Sequence, residues 1–147
     1  MKNYSTDQIK SVALVGNAVY GKTTLAEAMA FEGGVIDRRG DVGAKNTISD
    51  YNEIEHENGS SMYSSVLYAE YNDSKVNILD TPGADDFVGG AVSSLHVADS
   101  AVLVINAQHG VEVGTEIHNR WMDKFNKPCS IVINKCDHDN EKFDKAI

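Results

Sequence analysis

At 147 residues the chain is long enough to bury one hydrophobic core, and it reads as a single domain. Its formal net charge of −9, from 22 acidic against 13 basic residues, argues against a grip on nucleic acid through bulk positive charge, so no direct DNA binding is expected. No apolar run reaches membrane-spanning length, Met1–Lys10 is polar rather than signal-like, and Cys129 and Cys136 lack metal or C-x-x-C spacing, which points to a cytoplasmic protein with reduced thiols and no membrane contact.

A polar segment over residues 1–10 leads into the first strand, Ser11–Val15, with its apolar run Val12-Ala13-Leu14-Val15. Directly after it stands Gly16-Asn17-Ala18-Val19-Tyr20-Gly21-Lys22-Thr23-Thr24, a match to G-x-x-x-x-G-K-[ST] between a strand and a helix. The glycines let the backbone curl so that N–H groups face phosphate oxygens. Lys22 adds a charge for the outer phosphates, and Thr23 offers a hydroxyl to Mg2+. The helix over Thr23–Phe31, with Leu25, Ala28 and Met29 on one face, turns its positive end toward the anion.

Glu32 to Ser60 is a long polar stretch holding Gly33, Gly34, Gly40 and Gly43 and no sustained apolar period. It is too long for a simple connection. Arg38, Arg39 and Lys45 form a loose basic cluster read as a solvated loop. Strands follow at Ser64–Tyr71 and Lys75–Leu79, antiparallel about a turn at Asn72-Asp73-Ser74. The second runs into Asp80-Thr81-Pro82-Gly83, where Asp80 is placed to hold magnesium through water and Gly83 to offer its N–H to a terminal phosphate.

A helix around Ala91–His96, a strand at Ala101–Ile105, a helix over Glu112–Phe125, a strand at Cys129–Ile133 and the beginning of a helix at Glu141–Ile147 complete the order. Such alternation predicts an α/β fold of three layers, α/β/α, around a mostly parallel sheet with one antiparallel strand. Ligand loops then gather at the strands' carboxyl ends.

The strand ending at Ile133 delivers Asn134-Lys135-Cys136-Asp137. A carboxylate at Asp137 accepts from guanine N1–H and the exocyclic amine together, whereas adenine presents a lone pair at N1. A site built around such a required hydrogen bond discriminates by about four orders of magnitude. Asn134 and Lys135 would tie this turn to the phosphate loop and flank the base. Together the three motifs point to GTP or GDP with Mg2+. A phosphate-loop ATPase is disfavoured by Asp137.

In these motifs the chain resembles the GTP-binding domain of translational GTPases, within the P-loop NTPases, and most of all elongation factor G and its ribosomal-protection relatives, from about Ser11 to Asp137. Asp80-Thr81-Pro82-Gly83-Ala84-Asp85-Asp86-Phe87 resembles that family's D-T-P-G-H-x-D-F. Asn106 to Glu112 with Thr115-Glu116, and the acidic run from Asp50 to Met62, resemble further stretches of it. The resemblance implies ribosome binding, a role in translocation, and a first switch over residues 32–61 that is mobile without nucleotide.

Measured against that pattern, several positions depart. Ala84 stands where the family's water-orienting histidine would be, which leaves no intact catalytic residue, and Asp85, Asp86, His96 and His109 offer no evident substitute. Val19 replaces an aspartate, Tyr20 a small residue (its side chain is expected to point outward), and Ala18 and Ser60 replace larger apolar partners. Ser61 takes the place of a magnesium-binding threonine and keeps a hydroxyl for the metal. Ten residues follow Asp137, so the resemblance implies an incomplete domain over residues 11–147, truncated before a last strand, a helix and a loop that closes over guanine, with weakened affinity. The expected activity is therefore GTP binding in an elongation factor G-like factor with hydrolysis in doubt; the alternative is a hydrolysis-deficient ribosomal factor or a ribosomal-protection-type protein.

Overall fold

The computed structural model describes residues 2–137; the helix start expected at Glu141–Ile147 lies outside them. Five strands are present: β1 (Ile9–Val15), β2 (Ser65–Tyr71), β3 (Ser74–Asp80), β4 (Ser100–Asn106) and β5 (Cys129–Asn134). They lie side by side in the order β2-β3-β1-β4-β5. β1 runs parallel to β3 and β4, and β4 parallel to β5, while β2 is antiparallel to β3. The β2–β3 turn carries Asn72 and Asp73 at positive φ (46° and 58°), the left-handed conformation that tight hairpins need and that Asn and Asp tolerate.

The helices are α1 (Lys22–Glu32), α2 (Glu53–Asn58), α3 (Val88–Val97) and α4 (Val113–Lys124). Alternation along β1 divides the core in two. Ala13 and Val15 join Leu103 and Ile105 under Ala91 and Leu95 of α3 and Met122 of α4. Val12 and Leu14 join Leu67, Ala69 and Ile78 under Ala26 and Ala30 of α1. This two-residue period, with both faces buried, is what a central parallel strand requires. The three-layer arrangement expected from the sequence is therefore observed.

Two local readings change. The buried stripe of α1 is centred on Ala26 and Ala30, with Leu25 and Met29 at its edge, rather than on Leu25, Ala28 and Met29. Small residues face the sheet because α1 lies close to β2 and β3. The polar stretch also contains α2, which the sequence reading passed over. Its six residues, Glu53–Asn58, have no apolar period, and the signal lies in polar contacts at its ends. The Asn52 side chain donates to Glu55 at 3.0 Å, and Gly59 ends the helix at φ 62°.

Candidate functional site

Three sequence-distant turns leave the carboxyl ends of β1, β3 and β5 at one end of the sheet. Register brings them together: Leu14 lies opposite Asp80, and Asn106 opposite Asn134. The buried Thr81 hydroxyl donates to the Leu14 carbonyl at 2.6 Å, which fixes the second turn against the base of the first. The Asn134 side-chain amide donates to the Tyr20 carbonyl at 2.9 Å, which fixes the third. A Cβ on Gly21, itself at φ 90°, would lie 2.3 Å from Asn134 Nδ2, so only glycine lets these two turns meet.

A cavity of about 220 Å³ opens between the turns. Ala18, Gly21, Lys22, Thr23, Thr24, Gly83 and Lys135 line it, with Asp50, Ser60 and Ser61 from the long polar segment. Gly83 packs so tightly on the first turn that a Cβ would sit 2.4 Å from Lys22 Nζ and 2.5 Å from the Ala18 nitrogen. Gly16 does not line the cavity and is buried against the Val104 carbonyl, Asp80 is buried behind Thr23, and Asp137 is exposed two residues beyond Lys135. The Asn17 and Tyr20 side chains face a second cavity beside the start of α4.

The charged groups here fit an anion and a cation. Lys22 sits in the first turn of α1 and is 5% exposed. Its Nζ folds back on the Gly16 and Asn17 carbonyls, at 2.8 Å each. Burial pulls its pKa down to about 8, which the charges of Asp80 and Asp50 only partly oppose. A desolvated ammonium held by two loop carbonyls is a cation that phosphate oxygens would take over. Asp80 is the counterpart: 2% exposed, its Oδ2 accepts from the Thr23 hydroxyl at 2.7 Å, and its Oδ1 is buried without a partner. Burial first, then the charge of Asp50, raises its pKa to about 6, against the opposing effects of the Thr23 bond, Lys22 and the neighbouring Ser49 hydroxyl, whose own oxygen is also buried without a hydrogen bond. Thr23 Oγ1 lies 3.2 Å from Ser61 Oγ, and the Ser61 hydroxyl donates to Asp50 Oδ1 at 2.7 Å. Two carboxylates and two hydroxyls, one oxygen orphaned, fit Mg2+, which takes one or two carboxylates and completes its shell with phosphate oxygens and water.

Sequence reasoning missed Asp50, Glu27 and His118 around this site. Asp50 is 6% exposed, and burial raises its carboxyl above the usual range although the Ser61 bond works against it. Glu27, fully buried on α1, accepts the N–H of Gly40 at 2.8 Å and of Ile48 at 2.5 Å. Glu55 takes the N–H of Met62 and Tyr63 at 2.9 and 3.1 Å. Burial pushes the Glu55 carboxyl up, but those two bonds and the Asn52 side chain outweigh it and hold the group below its ordinary range. His118 is buried on α4 behind the Gly16 backbone; its place one turn after Gly114 and one before Met122, on the inward face, is the periodic signal that would have found it. His96 packs on the edge of Phe125 at 5.4 Å, and exposed His109 stacks on Tyr20.

A family model described as the elongation factor Tu GTP binding domain matches residues 7–147. The chain belongs to that family. Among relatives of this GTP-binding domain, elongation factor G of Granulibacter bethesdensis is 36% identical over 99% of the chain and 21% of its own length. Peptide chain release factor 3 of Enterococcus faecalis is 37% identical over 94% of the chain and 27% of its own length. A crystal structure of a Thermus thermophilus protein superposes with a TM-score of 0.86 at 36% identity, covering 89% of this chain and 20% of that one. The chain thus spans about a fifth to a quarter of the length of the proteins it matches. The resemblance to translational GTPases read from the motifs is borne out. Among the described residues no helix is long and apolar enough to cross a membrane.

Proposed function

We propose that this domain binds GTP and GDP with Mg2+ as the nucleotide module of an elongation factor G-like protein that works on the ribosome in the cytoplasm, in translocation. The observation that carries the reading is the pairing of Lys22, a buried cation resting on two loop carbonyls, with Asp80, a buried carboxylate whose Oδ1 has no partner, at the meeting point of three turns. Backbone N–H groups across Gly16, Asn17, Ala18, Tyr20, Gly21 and Thr24 cradle the phosphates, Lys22 neutralises them, and the Gly83 N–H meets the terminal one. Thr23, Ser61 and Asp80 hold the metal, and Asn134, Lys135 and Asp137 select guanine. Residues 11–147 form the nucleotide-binding unit, with the segment 32–61 as its switch.

Ala84 favours slow hydrolysis within that reading. The cavity beside it is lined by Asn17, Ala18, Tyr20, Gly83, Asp85 and Glu112. Both the Asn17 amide and the Tyr20 hydroxyl already donate to Glu112, so neither is positioned to orient an attacking water. Phosphoryl transfer depends almost wholly on positioning and charge stabilisation. Single-turnover hydrolysis by filter binding tests both halves. GTP should be retained in Mg2+ and released by chelation, decay slowly on the wild-type chain, and decay at least about tenfold faster on Ala84→His. A wild-type chain that retains no GTP contradicts the binding; a wild-type rate equal to that of Ala84→His contradicts the impairment.

A further inference from the structure

We infer that Tyr20 is a positioning residue that holds the phosphate loop open for an anion before nucleotide arrives, through a link to Glu112 at the start of α4; the inference deepens, and rests on, the reading of that loop as a guanine-nucleotide cradle.

The loop needs such a holder. Val19, a β-branched residue, sits at φ 59°, in the left-handed region that L side chains disfavour. Among the described residues the N–H groups of Ala18 and Val19 donate to no protein acceptor. Open donors beside a strained residue persist only where surrounding contacts over-determine the conformation.

Tyr20 supplies those contacts in three directions. Its ring is buried at 5% exposure rather than pointing outward. The hydroxyl donates to Glu112 Oε2 in a close bond, and Asn17 Nδ2 donates to the same oxygen at 3.1 Å, so two loop residues converge on one carboxylate. The ring lies parallel to His109, centroids 6.3 Å apart, in the turn after β4. Its carbonyl accepts from Asn134. One residue therefore ties the phosphate loop to α4, to the β4 turn and to the guanine turn. With the loop fixed on both sides of Val19, its open N–H groups cannot fold back onto the chain, and a binding-competent state is populated in advance.

Removing the hydroxyl separates this role from simple packing, because Tyr20→Phe keeps the ring on His109. Association and dissociation of fluorescent GDP are followed by stopped flow for Tyr20→Phe, Glu112→Ala and the double variant. Backbone order parameters of Ala18 and Val19 are measured in the nucleotide-free chains. Each single variant should slow association about tenfold, leave dissociation within about twofold, and be no worse in combination. The two order parameters should fall from about 0.85 toward 0.6. Unchanged association in both single variants, a drop in melting temperature alone, or unchanged order parameters overturns the inference. Should the wild-type chain bind no GDP, the guanine reading fails, and the order parameters still decide the positioning role.

Discussion

Behind the phosphate loop, His118 is 4% exposed, and burial first, then the charge of Lys22, pull its pKa down to about 4. Its ring is therefore neutral across the physiological range, while in the unfolded chain it titrates near 6.5. Between those two values the unfolded state binds the extra proton, so this contribution to stability is lost as pH falls from about 6.5 toward about 4. The raised carboxyls of Asp80 and Asp50 act in the opposite sense over acid pH, so the His118 effect is read as a difference. Melting temperature against pH should fall more steeply for the wild type than for His118→Asn across that window; parallel curves would contradict the assignment. At this scale the residues legible in advance were those fixed by a short pattern, such as Lys22, Thr23, Asp80 and Asn134. Asp50, Glu27 and His118 were not, because a lone buried polar residue looks in sequence like any solvated one, and only packing reveals its partners.

Elements were legible where hydrophobic period carried them. β1 starts at Ile9 rather than Ser11, a shift of the size that frayed ends produce, and α3 starts at Val88, a full turn before Ala91, because Gly89 and Gly90 hide its first turn from the hydrophobic period. The segment between α1 and β2 was harder, since charge rather than apolar contact organises it. The family resemblance implies a switch that is mobile without nucleotide; here Glu27 reaches Gly40 and Ile48 and Glu55 reaches Met62 and Tyr63, so two carboxylates bracket the segment. A Cβ on Gly40 would lie 2.6 Å from Thr47 Cα, a sign of how closely this segment closes on itself. Glu27→Gln keeps the shape but replaces one acceptor by a donor, leaving one of the two part-buried N–H groups, Gly40 or Ile48, without its carboxylate. Amide exchange at Gly40 or Ile48 should then be about tenfold faster than in the wild type, with α1 unchanged. Equal, unprotected exchange in both nucleotide-free chains would show that the clamp is not formed in solution and that the segment is as mobile as the family resemblance implies.

On the scale of the whole molecule, the order β2-β3-β1-β4-β5 puts the ends of β1, β3 and β5 on one rim, and the site follows from that topology. Right-handed parallel crossovers leave few alternatives, so motifs at the ends of predicted parallel strands could be assigned to one pocket without coordinates. Tyr20 was beyond reach, since whether a side chain in a curled loop turns in or out depends on the neighbour it meets, here Glu112, 92 positions away.

The claim at the centre is that one pocket holds phosphates at Lys22 and reads guanine at Asp137, and a base-swap titration tests it most directly. Labelled GDP is titrated into the wild-type chain and Asp137→Asn with Mg2+, against unlabelled ADP and xanthosine diphosphate. The wild type should prefer GDP over ADP by orders of magnitude, about four in a complete site. Asp137→Asn, with an amide where guanine needs two acceptors, should lose GDP and prefer xanthosine diphosphate. Tighter binding of ADP by the wild type, or an unchanged preference for GDP in the variant, would contradict the account.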